Sequence, residues 1–164
     1  MRPRALGLVL ALLVASCSAS GQGPDAGPSD AGPLALVLGT GERAFTPITE
    51  GQTVQLARGC QGLQHVWIAL RATGIAPRGV HVRLALTRVS DAVVVSAPFD
   101  TAITFAPDPG GVYFDLTGLM LVVPTPDLAL GAPLVLRGEI VDREGRGTSA
   151  MLDVMIEWGS EICG

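Results

Sequence analysis

Between Leu34 and the C-terminus several runs alternate apolar and polar residues with period two, and none holds a period near 3.6. Val80, Val82, Leu84 and Leu86 face one way while His81, Arg83 and Thr87 face the other. Near the end, Ala150, Leu152, Val154, Ile156 and Trp158 alternate with Met151, Asp153, Met155 and Glu157. A strand that buries one face and wets the other has this pattern. Clusters of Gly, Pro, Asp and Ser interrupt the runs, most clearly at Gly39-Thr40-Gly41, Gly74 to Gly79, Ser90-Asp91, Pro107 to Gly111, Pro124 to Asp127 and Asp142 to Gly147. The spacing predicts strands near 34–38, 53–57, 63–72, 80–89, 92–97, 101–106, 112–122, 133–142 and 148–158. Prolines fall at their ends, where a sheet tolerates a missing donor. The expected fold class is all-β: an antiparallel β-sandwich of about 7–9 strands over residues 34–164.

The last two runs, Leu134 to Asp142 and Thr148 to Trp158, form a hairpin across Arg143-Glu144-Gly145-Arg146-Gly147. This hairpin resembles the closing hairpin of immunoglobulin-like domains of bacterial surfaces, in which a strand ending in aspartate meets a glycine turn. The likeness covers the hairpin alone and implies an immunoglobulin-like sandwich. Paired core cysteines with a tryptophan between them, the mark of antibody domains, are missing. Residues Gly59 to Arg71 are similar to a stretch of uncharacterised myxobacterial lipoproteins, a likeness that implies no function.

The first 33 residues have a different character. Arg2 and Arg4 precede an apolar run from Ala5 to Ala15, the layout of a secretory signal. As a helix the run spans about 16 Å, half the ~30 Å of a bilayer core, so it does not cross a membrane. Val14-Ala15-Ser16-Cys17 resembles the lipobox of bacterial lipoproteins. That resemblance implies a signal peptide over 1–16, cleavage before Cys17 and acylation of Cys17. Acyl chains contribute about 0.8 kcal/mol per buried methylene, so several anchor a protein stably. In the sorting scheme of such lipoproteins an aspartate after the cysteine retains the protein at the inner membrane; here Ser18 follows, which implies the outer membrane. Residues 17–33 read as the lipidated cysteine and a disordered tether of Gly, Ala, Ser, Pro and Asp, with Asp25-Ala26-Gly27-Pro28 echoed by Asp30-Ala31-Gly32-Pro33. Its reach is on the order of 20–25 Å. Asp25 and Asp30 fall short of the oxygen ligands that calcium requires.

Charge excludes one class of partner. Fifteen acidic residues outnumber eleven basic ones, all arginine and all scattered, which argues against a nucleic-acid partner. With Cys17 assigned to lipid, Cys60 and Cys163 are an even pair in an oxidising compartment and are expected to form a disulfide. A loop of about 100 residues closed in this way is nominally stabilising by ~4–5 kcal/mol.

His65 and Trp67 share one face of their strand, and His81 lies on the outer face of the next, so these three mark a candidate binding surface. If those strands were neighbours, the two imidazoles would come within reach of one copper or zinc ion, with Met151 or Met155 as softer ligands. More often such a His–Trp pair is packing, and no metal or other cofactor is assigned. No nucleophile elbow, phosphate loop, His-Glu-x-x-His pair or paired carboxylates occur, and Asp142 and Glu144 read as solvated charges of a hairpin loop. The expectation is a non-enzymatic envelope lipoprotein, held to the membrane by its N-terminal lipid, that serves as a structural module or binds an unknown envelope protein or ligand. The alternative is a metal-binding accessory domain.

Overall fold

The computed structural model describes residues 32–59 and 62–159. Within them the alternating runs become ten strands: β1 (Ala35–Thr40), β2 (Thr46–Pro47), β3 (Gln52–Arg58), β4 (Gln64–Thr73), β5 (Val80–Arg88), β6 (Phe99–Ile103), β7 (Ala106–Pro107), β8 (Phe114–Val122), β9 (Leu134–Val141) and β10 (Gly147–Trp158). A single 3-10 turn, Pro126–Leu128, is the helical element among the described residues. In β5 the alternation survives intact: Val80, Val82, Leu84 and Leu86 are buried while His81 and Arg83 are exposed.

All ten strands belong to one curled sheet in the order β2-β1-β4-β3-β10-β9-β5-β6, with β8 on the other edge of β4 and β7 beside β8. β4 is the hub. Its N-terminal half pairs with β3 and its C-terminal half with β1, both on one edge, while β8 takes the opposite edge. The sheet is mixed, which overturns the expectation of a purely antiparallel one: β3 and β10 run parallel, from Gln52 beside Val154 to Leu56 beside Trp158. Alternation reports which face of a strand is buried and is blind to the direction of its neighbour. β9 occupies one edge of β10 through the predicted hairpin, and the edge left over receives β3 from the other end of the chain.

The curl is steep enough to bring β1 against β9. Leu36 and Leu38 of β1 point at Gly138, where a Cβ would lie 2.6 Å from Leu38 Cδ2 and 3.5 Å from Leu84 Cδ2. The enclosed core draws Val66, Ile68 and Leu70 from β4, Leu121 from β8, Leu86 from β5, Leu136 and Ile140 from β9 and Ile156 from β10, all fully buried.

One expected strand does not form. Residues 92–97 make a single bridge, Thr87 to Val94, after a tight turn in which Ala92 takes φ 56 and its N–H donates to the Arg88 carbonyl. Val93 and Val94 remain exposed, while Ser96 Oγ accepts a bond from the Leu86 N–H. Three valines in succession read as a strand, but Ser96 occupies the edge of β5 that a pairing strand would need. The next strand, expected at 101–106, is displaced to 99–103.

Strand registers divide the loops between two ends. Ala35 beside Thr73, Ala72 beside Phe114, Val80 beside Ile103 and His81 beside Val141 place segments 32–34, 74–79, 104–113 and 142–146 at one end. Arg58 beside Gln64, His65 beside Val122, Arg88 beside Leu134 and Leu56 beside Trp158 place 62–63, 89–98, 123–133 and Gly159 at the other. Strands of nine or ten residues separate the two by about 30 Å.

The Gly138 contact is open to measurement. Gly138→Ala forces Leu38 to move and is expected to cost about 1–3 kcal/mol in urea unfolding. In a Leu38→Ala background the cost shrinks, giving a coupling between the two sites; strictly additive effects would show that β1 does not close on β9 here.

Candidate functional site

Strand alternation turns His65, Trp67, Ala69, Arg71 and Thr73 to the face of β4 opposite Val66, Ile68 and Leu70. Neighbouring strands flank this row with Ala57 and Val122 at His65, Met120 at Trp67, and Val37 and Asp115 at Arg71. His65 is 5% exposed. Its ring meets the edge of Trp67 with centroids 4.6 Å apart and planes at 86°, a favoured aromatic geometry. The Gly59 backbone lies alongside the imidazole, and His65 Nε2 finds no hydrogen-bond partner among the described residues. Trp67 is half-buried, and its carbonyl accepts a bond from Thr40 Oγ1.

His81 is elsewhere. It is exposed on β5, with Nδ1 3.6 Å from Asp100 Oδ1. β3, β10 and β9 stand between β4 and β5 in the sheet, so the neighbouring-strand arrangement expected for the two imidazoles is replaced by a crossover. After the loop from Gly74 to Gly79, whose two glycines take positive φ at 67 and 65, the chain crosses to the far edge of β9 instead of turning back beside β4. Among the described residues no three His, Cys, Asp or Glu side chains gather as a metal group. Met151 is exposed on β10 beside Arg137. Cys17, Cys60 and Cys163 lie outside the described residues.

The most highly organised group on this face is one that single-residue reading passed over. Arg71 donates from Nε and Nη2 to the two oxygens of Asp115, both at 2.7 Å. Its guanidinium stands 4.4 Å from the Phe45 ring centroid and 5.0 Å from that of Tyr113. Fork geometry and ring faces suit arginine and would not suit lysine. The Asp115 carboxylate raises the pKa of Arg71 above its ordinary value, against the effect of burial. With the Nε–Nη2 edge of its fork engaged by Asp115, Arg71 acts as a strut between Phe45 and Tyr113. Its sequence signal was its place in the His65–Trp67 row; nothing in the chain announced Asp115 as its partner.

Tyr113 continues into a groove of about 760 Å³ whose walls include Pro33, Thr73, Ile75, Pro77 and Phe114. Thr73 Oγ1 donates to the Pro33 carbonyl and holds one rim in place. The other rim is the turn before β8, where Asp108 accepts bonds from the N–H groups of Gly110, Val112 and Tyr113. Those bonds, that of Tyr113 foremost, lower the pKa of Asp108 against the effect of burial. Walls of this kind suit an apolar ligand. A shallower groove of about 290 Å³ lies on the face of β9, β5 and β6, lined by Arg83, Phe99, Asp100, Arg137 and Glu139. Its exposed ion pairs contribute little to stability.

Asp142, expected as a solvated loop charge, is instead buried. It accepts from the N–H groups of Ala76, Glu144 and Arg146 and from Arg146 Nε, tying the hairpin loop to the 74–79 loop. Burial pushes its pKa up, and these donors together outweigh burial and leave it below the usual range. A depressed carboxylate contributes stability that is complete above its unfolded pKa of about 3.9 and is lost as pH falls through the folded value. The melting temperature is therefore expected to fall below about pH 4, and Asp142→Asn should flatten that acid limb. An unchanged slope in the variant would mean that Asp142 is not linked to acid unfolding.

Compared with known proteins, neither a family model nor a curated sequence matches this chain, so its own residues are the guide to what it does.

Proposed function

We propose that the chain is an envelope lipoprotein, acylated at Cys17 and held by a tether over residues 18–33, whose remaining part is a non-enzymatic structural or binding module of immunoglobulin-like sandwich architecture. The outer membrane is its proposed location, on the strength of Ser18. The observation that carries the reading is the polarity of the domain. The chain joins it at Gly32 and Pro33, at the end with the groove, while Leu63, Val89, Val94, Leu128 and Trp158 are exposed at the opposite end. A lipid at Cys17 would hold the first end near the membrane and leave the second, apolar end free to meet a partner.

The strand order supports the sandwich. β7-β8-β4-β1 and β10-β9-β5-β6 are two groups linked in the strand order by β3, which pairs with β4 by its last residues and with β10 from Gln52 to Leu56. β1 folded over Gly138 supports it as well. The parallel pair supports the proposed Cys60–Cys163 disulfide: β3 and β10 end side by side, with the Gly159 N–H donating to the Leu56 carbonyl, so the residues that precede the two cysteines leave the sheet together.

Labelling with radioactive palmitate is expected to mark the wild-type protein and not Cys17→Ala; an unlabelled wild type removes the anchor from the proposal. Intact mass under non-reducing conditions is expected to fall by two hydrogens relative to the reduced chain and to show no such change in Cys60→Ser. Two free thiols in the wild type would exclude the disulfide.

A further inference from the structure

We propose that the end of the domain carrying the groove docks directly on an anionic phospholipid surface, with Val112 and Tyr113 seated in the interface and Arg78 and Arg143 against the headgroups. The inference rests on the N-terminal lipid anchor proposed above and adds an orientation to it. Gly32 and Pro33 form part of the groove wall, and residues 18–33 reach on the order of 20–25 Å from the acylated cysteine, so this end stays within a short distance of the bilayer.

The whole chain has a net charge of -4, whereas the described carboxylates and arginines of this end balance, and the charges left to face a headgroup are its two unpaired arginines. Among the described residues four carboxylates lie here, and each is engaged in hydrogen bonds or an ion pair. Asp115 is held by Arg71, Asp142 and Glu144 by Arg146, and Asp108 by three backbone N–H groups. Arg78 and Arg143 are both exposed, and neither has a carboxylate partner among the described residues. The two are neighbours, because the Arg143 guanidinium lies over Gly79, the residue after Arg78. Anionic headgroups attract each such cation by about 1 kcal/mol, which is about fivefold in the docked-to-undocked ratio.

The apolar part of the contact stands beside these cations. Val112 is 66% exposed and Tyr113 38% exposed at the tip of the turn before β8. Asp108 fixes that turn and Arg71 fixes the Tyr113 ring, so both side chains are presented at little further cost in ordering. A tyrosine whose ring is apolar and whose hydroxyl is wet matches the headgroup region of a bilayer. The groove between Tyr113, Phe114, Ile75 and Pro77 offers further apolar surface to the acyl boundary.

The test is hydrogen exchange on the full-length protein as isolated, on vesicles of phosphatidylethanolamine with phosphatidylglycerol, on vesicles of phosphatidylcholine and in detergent micelles. Intact mass reports acylation separately. Exchange within 74–79 and 106–114 is expected to slow on the anionic vesicles alone, with the slowing lost at high salt. Arg78→Ala with Arg143→Ala is expected to lower the docked-to-undocked ratio about 30-fold, and Val112→Ser to weaken docking without changing the melting temperature. An acylated protein whose exchange is the same on all three surfaces overturns the docking and leaves the anchor standing. A protein without acyl chains that still shows the slowing on added anionic vesicles overturns the anchor and supports the docking surface. Slowing already present in micelles and removed by stripping a copurified peptide overturns the proposal in favour of a peptide ligand.

Discussion

The closure of this fold brings β1 over Gly138 so closely that any larger side chain there would have to displace Leu38. β1 belongs by hydrogen bonding to β4, yet its Leu36 and Leu38 side chains are packed against β9, several strands away along the sheet. At Gly138 the missing side chain is the space that Leu38 fills. A sheet of this length, left open, would expose the inner faces of β4, β5 and β9, whose leucines, isoleucines and valines are the core. Burial of apolar surface supplies the driving force for the curl, and the space left by Gly138 lets Leu38 pack against β9.

Closure then decides what each end of the strands displays. Buried and half-buried polar groups at the groove end are engaged with one another: the Arg71 fork on Asp115, the Asp142 cluster with Arg146, the Asp108 turn. Each joins two segments that are distant in the chain or folds a loop upon itself, so this end is stiffened by charge-assisted hydrogen bonds. The other end is built differently. There Arg88 bridges Asp91 and the Leu128 carbonyl, Arg58 stands over the Trp158 ring at 4.3 Å, and the intervening surface is apolar. One domain thus carries two surfaces of contrasting chemistry, set apart by the length of its strands.

The fold was legible in the sequence as far as period two could carry it. Eight of the ten strands fall near the predicted runs because their apolar residues share a face, as in Val80 to Leu86. Direction and neighbourhood were not legible. The parallel pairing of Gln52 with Val154 and the separation of β4 from β5 depend on where the chain goes between strands, and a glycine loop such as 74–79 serves a hairpin or a crossover equally well. The site was legible by row: the shared face of His65 and Trp67 followed from alternation, and their edge-on contact is what that face produces. Burial of His65 was hidden because β3 and β8 cover it from both sides. Burial of Asp142 was hidden because its partner Ala76 lies 66 residues away.

The parallel joint between β3 and β10 also has an order in time. β4 to β9 lie between β3 and its partner β10 in the chain, so a chain delivered N-terminus first, from a ribosome or through a translocation channel, must keep Gln52 to Arg58 waiting until β10 has emerged. The edge of β3 that will receive β10 stays open meanwhile, and long-range pairing of this kind is slow. The domain is therefore most vulnerable to wrong strand partners just before β10 arrives.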